Sequence, residues 1–338
     1  MIDFRSDTVT KPTAEMKEYM FNAEVGDDVF AEDPSINSLQ RYAADMFGME
    51  DALFCSSGTQ TNQIAINVHT QPGGEVICHW ESHIYKYEGG GIAKNSGVSV
   101  RLLDGDRGRL SAETIADWQN PDDVHMPITQ LVSLEDTANR GGGAIYELEE
   151  IRKIKRWCQQ RNLPLHLDGA RLMNAIVAKN QDLKEYASEF DSISLCLSKG
   201  LGAPVGSLLI GTKDFIKKSR RVRKVFGGGM RQAGIIAAAG EFALKNHVDR
   251  LELDHRHAKQ IEEVLNQQEW IKDVLPVMTN IVVANLNRPE DRDRIIEDLA
   301  EKGIKCMAFG HGMLRFVTHL DISTKDIDQT CEALKAIQ

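Results

Sequence analysis

The chain has 338 residues, and 40 lysines and arginines against 50 aspartates and glutamates give it a formal net charge of −10. That length suits about two domains and buries roughly three quarters of the unfolded surface, while the acidic balance argues against nucleic acid or anionic membrane as a main partner. No apolar run reaches the length of a membrane span, the first ten residues lack the apolar core of a signal peptide, and six scattered cysteines form no C-x-x-C pair, so reduced thiols in a cytoplasmic protein are expected.

In chain order, the first dozen residues are polar and read as an extended arm. Ser6, on this arm, reads by itself as a cap or turn residue. Pro12 marks the start of a helix near Ala14–Phe21. Asp27, Asp28, Glu32 and Asp33 lack the regular oxygen spacing of a calcium loop and read as a solvated loop; no metal site is expected. Leu39, Tyr42, Ala43 and Met46 predict a helix over residues 37–47. A short strand at 52–54 leads to Ser56-Ser57-Gly58-Thr59 and then a helix over 60–68. The start of that helix is either a plain capped terminus or an anion site, its N–H groups and dipole suiting a phosphate monoester. A strand at 75–78 ends at His79-Trp80-Glu81-Ser82-His83, and the helix after it stops at Gly89-Gly90-Gly91. A strand at 98–103 precedes a turn at 104–108. The strand at 131–134 leads to Glu135-Asp136-Thr137-Ala138-Asn139. After a glycine loop at 141–143, residues 147–162 read as a helix rich in i,i+4 charge pairs.

Residues 163–171, LPLHLDGAR, form a short apolar strand that ends on Asp168. Residues 192–206, SISLCLSKGLGAPVG, alternate over their first half and then carry Lys199 among small residues. The alternation is a strand period, and the glycines let the backbone come close to a ligand. A strand-end lysine taken alone is most often solvated. At the mouth of a buried strand, walled by small residues, it is placed to attack a carbonyl in the Schiff-base role. A carboxylate ending one strand and a lysine ending the next meet in the crevice where open α/β sheets bind ligands. Pyridoxal phosphate needs this pair: an amine for its aldehyde, and a carboxylate that keeps its pyridine nitrogen protonated. Dinucleotide and P-loop readings fail, because Gly200-x-Gly202 lacks the third glycine and no stretch fits G-x-x-x-x-G-K-[ST].

A strand at 207–210 is followed by a basic run over 213–224, read as a solvated helix face. GGGMR at 227–231 combines glycine backbone with arginine, which suits phosphate. A small-residue helix is predicted over 233–244. A long polar helix over 248–268 then leads into a smaller domain with strands at 281–284, 305–307 and 314–317 and helices at 291–302 and 324–337. The expected division is 1–247, arm and large domain, and 248–338. Arg315 lies in a strand among apolar neighbours, usually the place of an edge residue.

The motifs RSDTVTKPT (5–13), VGDDVFAEDP (25–34), SSGTQTNQ (56–63), HLDGARL (166–172), LCLSKGLGAPVGSLL (195–209), GGGMRQAG (227–234) and RFVTHLD (315–321) run nearly end to end. With them the chain resembles the low-specificity L-threonine aldolases, pyridoxal-phosphate enzymes of the aspartate-aminotransferase fold (fold type I). The resemblance implies an α/β protein, with a mainly parallel sheet flanked by helices in the large domain and a small α/β C-terminal domain. It implies retro-aldol cleavage of a β-hydroxy-α-amino acid, L-threonine or L-allo-threonine, to glycine and acetaldehyde, in a homo-oligomer, dimer or tetramer. A β-eliminating lyase or racemase on the same fold is the alternative. It further implies that Lys199 carries the cofactor, Asp168 and Arg171 help bind it, and Gly58, Thr59 and Arg231 approach its phosphate. His83 would lie over the ring and transfer a proton, His125 would be a second active-site histidine, and Ser6, Arg171 and Arg315 would meet the substrate. Asp136 and Ala138 stand where the family reads asparagine and histidine, and Phe30 where it often has tyrosine; no role is carried onto Ala138, and any hydroxyl role at Phe30 is lost.

Overall fold

Seven strands form the central sheet of the computed structural model, which describes residues 1–337. They are β1 (Asp51–Cys55), β2 (Glu75–His79), β3 (Ser99–Leu103), β4 (Thr129–Glu135), β5 (Leu165–Gly169), β6 (Ser192–Cys196) and β7 (Ser207–Gly211), in the order β1-β7-β6-β5-β4-β2-β3. All pairings from β6 to β3 are parallel; β7 runs antiparallel to both β6 and β1. This is the expected mainly parallel α/β sheet. The strands are short and nearly all buried because helices cover both faces.

The longer helices are α1 (Ala14–Phe21), α2 (Pro34–Phe47), α3 (Gly58–His69), α4 (Leu148–Gln159), α5 (Leu172–Lys179), α6 (Lys213–Val225), α7 (Gly234–Asn246), α8 (Leu251–Leu265), α9 (Arg292–Glu301) and α10 (Thr324–Lys335). Strand alternation sorts the two layers. Ala52, Phe54, Leu208 and Ile210 pack with Ile36, Leu39 and Ala43 of α2. Leu53, Cys55 and Leu209 turn the other way, onto Ile64 and Ala65 of α3 and Phe215 and Ile216 of α6. Each fully buried leucine, isoleucine or phenylalanine here stabilises the sheet by about 1.5–3 kcal/mol.

A second, antiparallel sheet has the order β10-β11-β9-β8, from β8 (Ile271–Val274), β9 (Ile281–Leu286), β10 (Met307–Gly310) and β11 (Met313–Val317). Its core takes in Ile261 of α8, Ile295 of α9 and Ile327 of α10. The arm joins it: Ile2–Asp3 pairs in parallel with Ile304–Lys305, and Phe4 meets Phe316 edge-on at 6.0 Å. The strand expected at 305–307 is therefore two, one pairing the arm and one, β10, in the sheet. From Phe4 the arm runs on to Ser6, Asp7 and Thr8.

The expected solvated loop fails at two of its four acids, whereas the basic helix keeps Lys217, Lys218, Arg221 and Lys224 exposed and buries Arg223. Asp28 is buried and pairs with Arg223 of α6 at 2.6 Å. Asp33 caps α2, accepting the N–H of Ile36 at 2.9 Å, and also accepts the N–H of Gly234 at the start of α7. These acids tie the segment after α1 to α6 and α7. One face of the basic helix is correspondingly buried, and Arg223 also donates to the carbonyl of Phe54 at 2.7 Å. Among the described residues no helix is long and apolar enough to cross a membrane.

Candidate active site

The carboxyl ends of β4, β5 and β6 open into a cavity of about 410 Å3. Glu135, Asp168, Lys199 and His83 line it from the large sheet, Ser6 and Thr8 from the arm, and Phe309 and Arg315 from the second sheet. Lys199 follows β6 directly after Leu197 and Ser198. The next residues turn sharply, with the N–H of Gly202 bonding to the carbonyl of Lys199 at 2.8 Å and Gly202 at φ +80°. A side chain with a Cβ would be strained there.

Asp168 is buried and accepts from Asn62 Nδ2 at 3.0 Å and the N–H of Ala170 at 3.3 Å. Asn62 reaches on to Glu88 at 2.9 Å and to His166 at 3.2 Å. Glu88 accepts from Gln63 at 2.6 Å and meets His83 Nδ1 at 3.0 Å. One ring nitrogen of His83, one oxygen of Glu88 and one of Asp168 all lie within 4.8 Å of one another. Burial works against the charged imidazole, but the Glu88 hydrogen bond and the Asp168 carboxylate outweigh it and hold His83 above its usual range. Burial and the Asp168 charge raise Glu135, which accepts the N–H groups of His83 at 2.7 Å and Asn139 at 2.8 Å.

Arg171 and Asp7 form a buried, two-bonded pair at 2.6 and 2.7 Å. Despite burial, the guanidinium holds Asp7 well below the ordinary carboxylate range. The pair pins the short turn that Ser6 caps, with Ser6 Oγ accepting from the N–H of Thr8 at 3.2 Å. Arg315 is different. It donates to Asn139 Oδ1 at 3.0 Å and to the carbonyl of Arg5 at 2.9 Å; among the described residues its buried Nε has no partner, and no carboxylate forms an ion pair with it. Burial and the Arg171 charge press it down to about 10. A buried arginine with an orphan donor facing a cavity calls for an anion.

Gly58 and Thr59 form the first turn of α3, where Ser57 caps only the N–H of Gln60, at 3.2 Å. The buried Ser207 Oγ has no partner among the described residues and would lie 3.6 Å from a Cβ placed on Gly58. Free N–H groups, an orphan hydroxyl and a missing side chain meet there, as an anion site requires. The 227–231 loop lies alongside: a Cβ on Gly228 would stand 2.5 Å from Gln60 Nε2. Arg231 itself is half-exposed, pairs with Asp27 at 2.9 Å and is not on the cavity wall.

His125 is not brought to this cavity within one chain. It lies ahead of β4, 86% exposed and paired with Asp123 at 2.7 Å. Glu135 marks the far end of that seven-residue strand, about 20 Å on at roughly 3.3 Å per residue. Asp136 and Ala138 also stay off the cavity wall. Asp136 accepts the Tyr186 hydroxyl and burial pushes it up to about 7. Ala138 abuts Gly108, where a Cβ would stand 2.8 Å from its own. Glu88, Asn62 and Gln63 carry no expectation from the sequence. The available signal is that Asn62 and Gln63 fall on the stretch of α3 turned inward, among Thr61, Ile64 and Ile66.

Residues 3–288 match the family model described as beta-eliminating lyase. The chain is 42% identical over 337 residues to the low specificity L-threonine aldolase of Escherichia coli (strain K12), covering 99% of both chains. It is 39% identical over 345 residues to the probable low-specificity L-threonine aldolase 2 of Arabidopsis thaliana, covering 99% of this chain and 97% of the relative. Among solved structures, the threonine aldolase of Leishmania major superposes with a TM-score of 0.86 at 23% identity over 99% of both chains, a likeness of fold.

Proposed function

Because the chain belongs to the low-specificity L-threonine aldolases, within the beta-eliminating lyase family, we propose that it cleaves L-threonine and L-allo-threonine to glycine and acetaldehyde. The observation that carries this reading is one cavity holding Lys199 and the buried Asp168 at the ends of adjacent strands. Pyridoxal 5′-phosphate, when bound, supplies the electron sink that lets the Cα–Cβ bond break. The residues fit it: an amine, a buried carboxylate for the ring nitrogen, and the free N–H groups of Gly58 and Thr59 beside the orphan Ser207 hydroxyl for the phosphate.

In this reading Lys199 would hold the cofactor through its amine at the cavity wall. Asp168, fixed by Asn62, keeps a proton on the ring nitrogen. His83, with Nδ1 directed at Glu88, takes the β-hydroxyl proton at Nε2. Ser6 and Arg315 hold the substrate carboxylate, and Arg171 supports them through Asp7. Arg231 pairs with Asp27 off the cavity wall of its own chain, so a phosphate contact by it depends on a second copy. Product analysis separates this from β-elimination: threonine should give glycine with acetaldehyde, whereas serine and cysteine turned over to keto acid and ammonia would favour an eliminating lyase.

Replacing Arg315 by lysine keeps the charge and loses the fork. A charge-assisted hydrogen bond contributes about 1.5–3 kcal/mol, so kcat/KM for threonine should fall roughly ten- to a hundredfold at 1.4 kcal/mol per decade. Cofactor content, read from the visible band, should change little. A variant that lost cofactor yet kept normal turnover per bound cofactor would refute the role.

We further read the active unit as a homo-oligomer of the cytoplasm, a dimer or tetramer. Val124, Phe21, Val225, Ile128 and Phe30 are 99, 85, 80, 72 and 69% exposed in the single chain, large apolar residues of the kind subunit contacts cover. His125 shares its loop with Val124 and Ile128, so a catalytic role for it depends on a second copy. Sedimentation at assay concentration should show no active monomer; full activity in a monomer would contradict this.

A further inference from the structure

Arg140 has no part in the chemistry above, yet it lines the same cavity as Lys199 and Arg315. Its guanidinium lies over the ring of Phe309, 4.0 Å from the centroid, and that of Arg315 lies 4.8 Å from the same centroid. Arg140 Nη1 donates to the Phe309 carbonyl at 2.7 Å, and Nε meets Glu81 Oε1 at 3.5 Å. Nη2 makes no hydrogen bond to the described residues. Glu81 is shared with Lys86, at 3.9 Å, so one carboxylate faces two cations and this edge keeps a positive charge. The third guanidinium of the cavity, Arg171, is matched by Asp7. Two arginines on one ring therefore remain under-matched, and threonine brings a single carboxylate.

We propose that Arg140 determines specificity for a second carboxylate, so that the site also cleaves β-hydroxy-α-amino acids bearing an anionic group on Cβ, such as 3-hydroxyaspartate. Arg315 takes the α-carboxylate and Arg140 the distal one, each offering the planar donor set that suits a carboxylate. The step is the retro-aldol step already assigned, and the inference rests on that reading. The β-hydroxyl loses its proton as Cα–Cβ breaks, Cβ becomes the aldehyde carbon of glyoxylate, and Cα takes a proton to give glycine. No oxidant or co-reactant enters.

The test measures kcat/KM of the holoenzyme for L-threonine and for both L-3-hydroxyaspartate diastereomers, in the native protein and in Arg140→Gln and Arg140→Lys. The native protein should convert 3-hydroxyaspartate to equimolar glycine and glyoxylate. In Arg140→Gln the ratio of kcat/KM for 3-hydroxyaspartate over threonine should fall about tenfold or more, through KM, and Arg140→Lys should recover part of it. A native protein that cleaves threonine but not 3-hydroxyaspartate, or an unchanged ratio in Arg140→Gln, overturns the inference. Calorimetric binding of succinate against butyrate to the native holoenzyme gives a readout that needs no variant and no turnover. A preference of about tenfold or more for the dianion supports the second anion site, and equal affinities refute it. Cleavage of neither amino acid, with succinate still preferred, would instead refute the retro-aldol reading.

Discussion

Lys199→Ala is expected to lose about 10⁴-fold or more in threonine cleavage. In the proposed reading Lys199 would anchor the cofactor covalently from the cavity wall, and proton transfer alone is typically worth about 10²–10⁴-fold. Its place is set by β6, whose buried alternation ends at the cavity, and by the turn at Gly202. Borohydride treatment of the holoprotein followed by peptide mapping should mark Lys199. A mark on any other lysine would overturn the assignment, because the buried Asp168 would then face the wrong amine.

His83→Asn should show the next largest loss, about 10²–10⁴-fold in kcat for both threonine isomers. Its pH dependence has a definite sign. The Glu88 hydrogen bond and Asp168 hold the imidazole above its ordinary value despite burial, so it stays protonated to higher pH than a free histidine. A base must be unprotonated, so the acid limb of the rate profile should lie above the usual histidine value of about 6.5. Glu88→Gln removes one support of the charged form and should move that limb to lower pH. Comparison with His125→Asn is informative, since His125 is exposed and off the cavity wall of its own chain. Wild-type rates and an unchanged limb in His83→Asn would mean that a different group removes the β-hydroxyl proton.

Much of this was readable because the relevant signals are local. The period-2 run before Lys199 and the apolar strand before Asp168 are each complete within a few residues, and the parallel sheet brings their ends together. The small residues after Lys199 announce a tight turn in the same way. What escaped is long-range. Asp28 looked solvated because its partner Arg223 stands 195 residues away. Glu88 looked like any glutamate before a glycine turn, and only the packing of α3 against the 83–88 segment shows that Asn62, Gln63 and His83 all converge on it. Neither Asp136 nor Ala138, where the family pattern fails, reaches the cavity wall. One supports Tyr186 and the other the turn at Gly108.

Early-time cleavage of L-threonine by the holoenzyme in D2O tests the central claim most directly. Breaking Cα–Cβ leaves Cα to be protonated from the medium, so acetaldehyde and glycine should appear in equal amounts, the glycine carrying one deuterium. Formation of 2-oxobutyrate and ammonia without glycine would mean that the Cβ–O bond breaks instead, and the retro-aldol account of this cavity would be wrong.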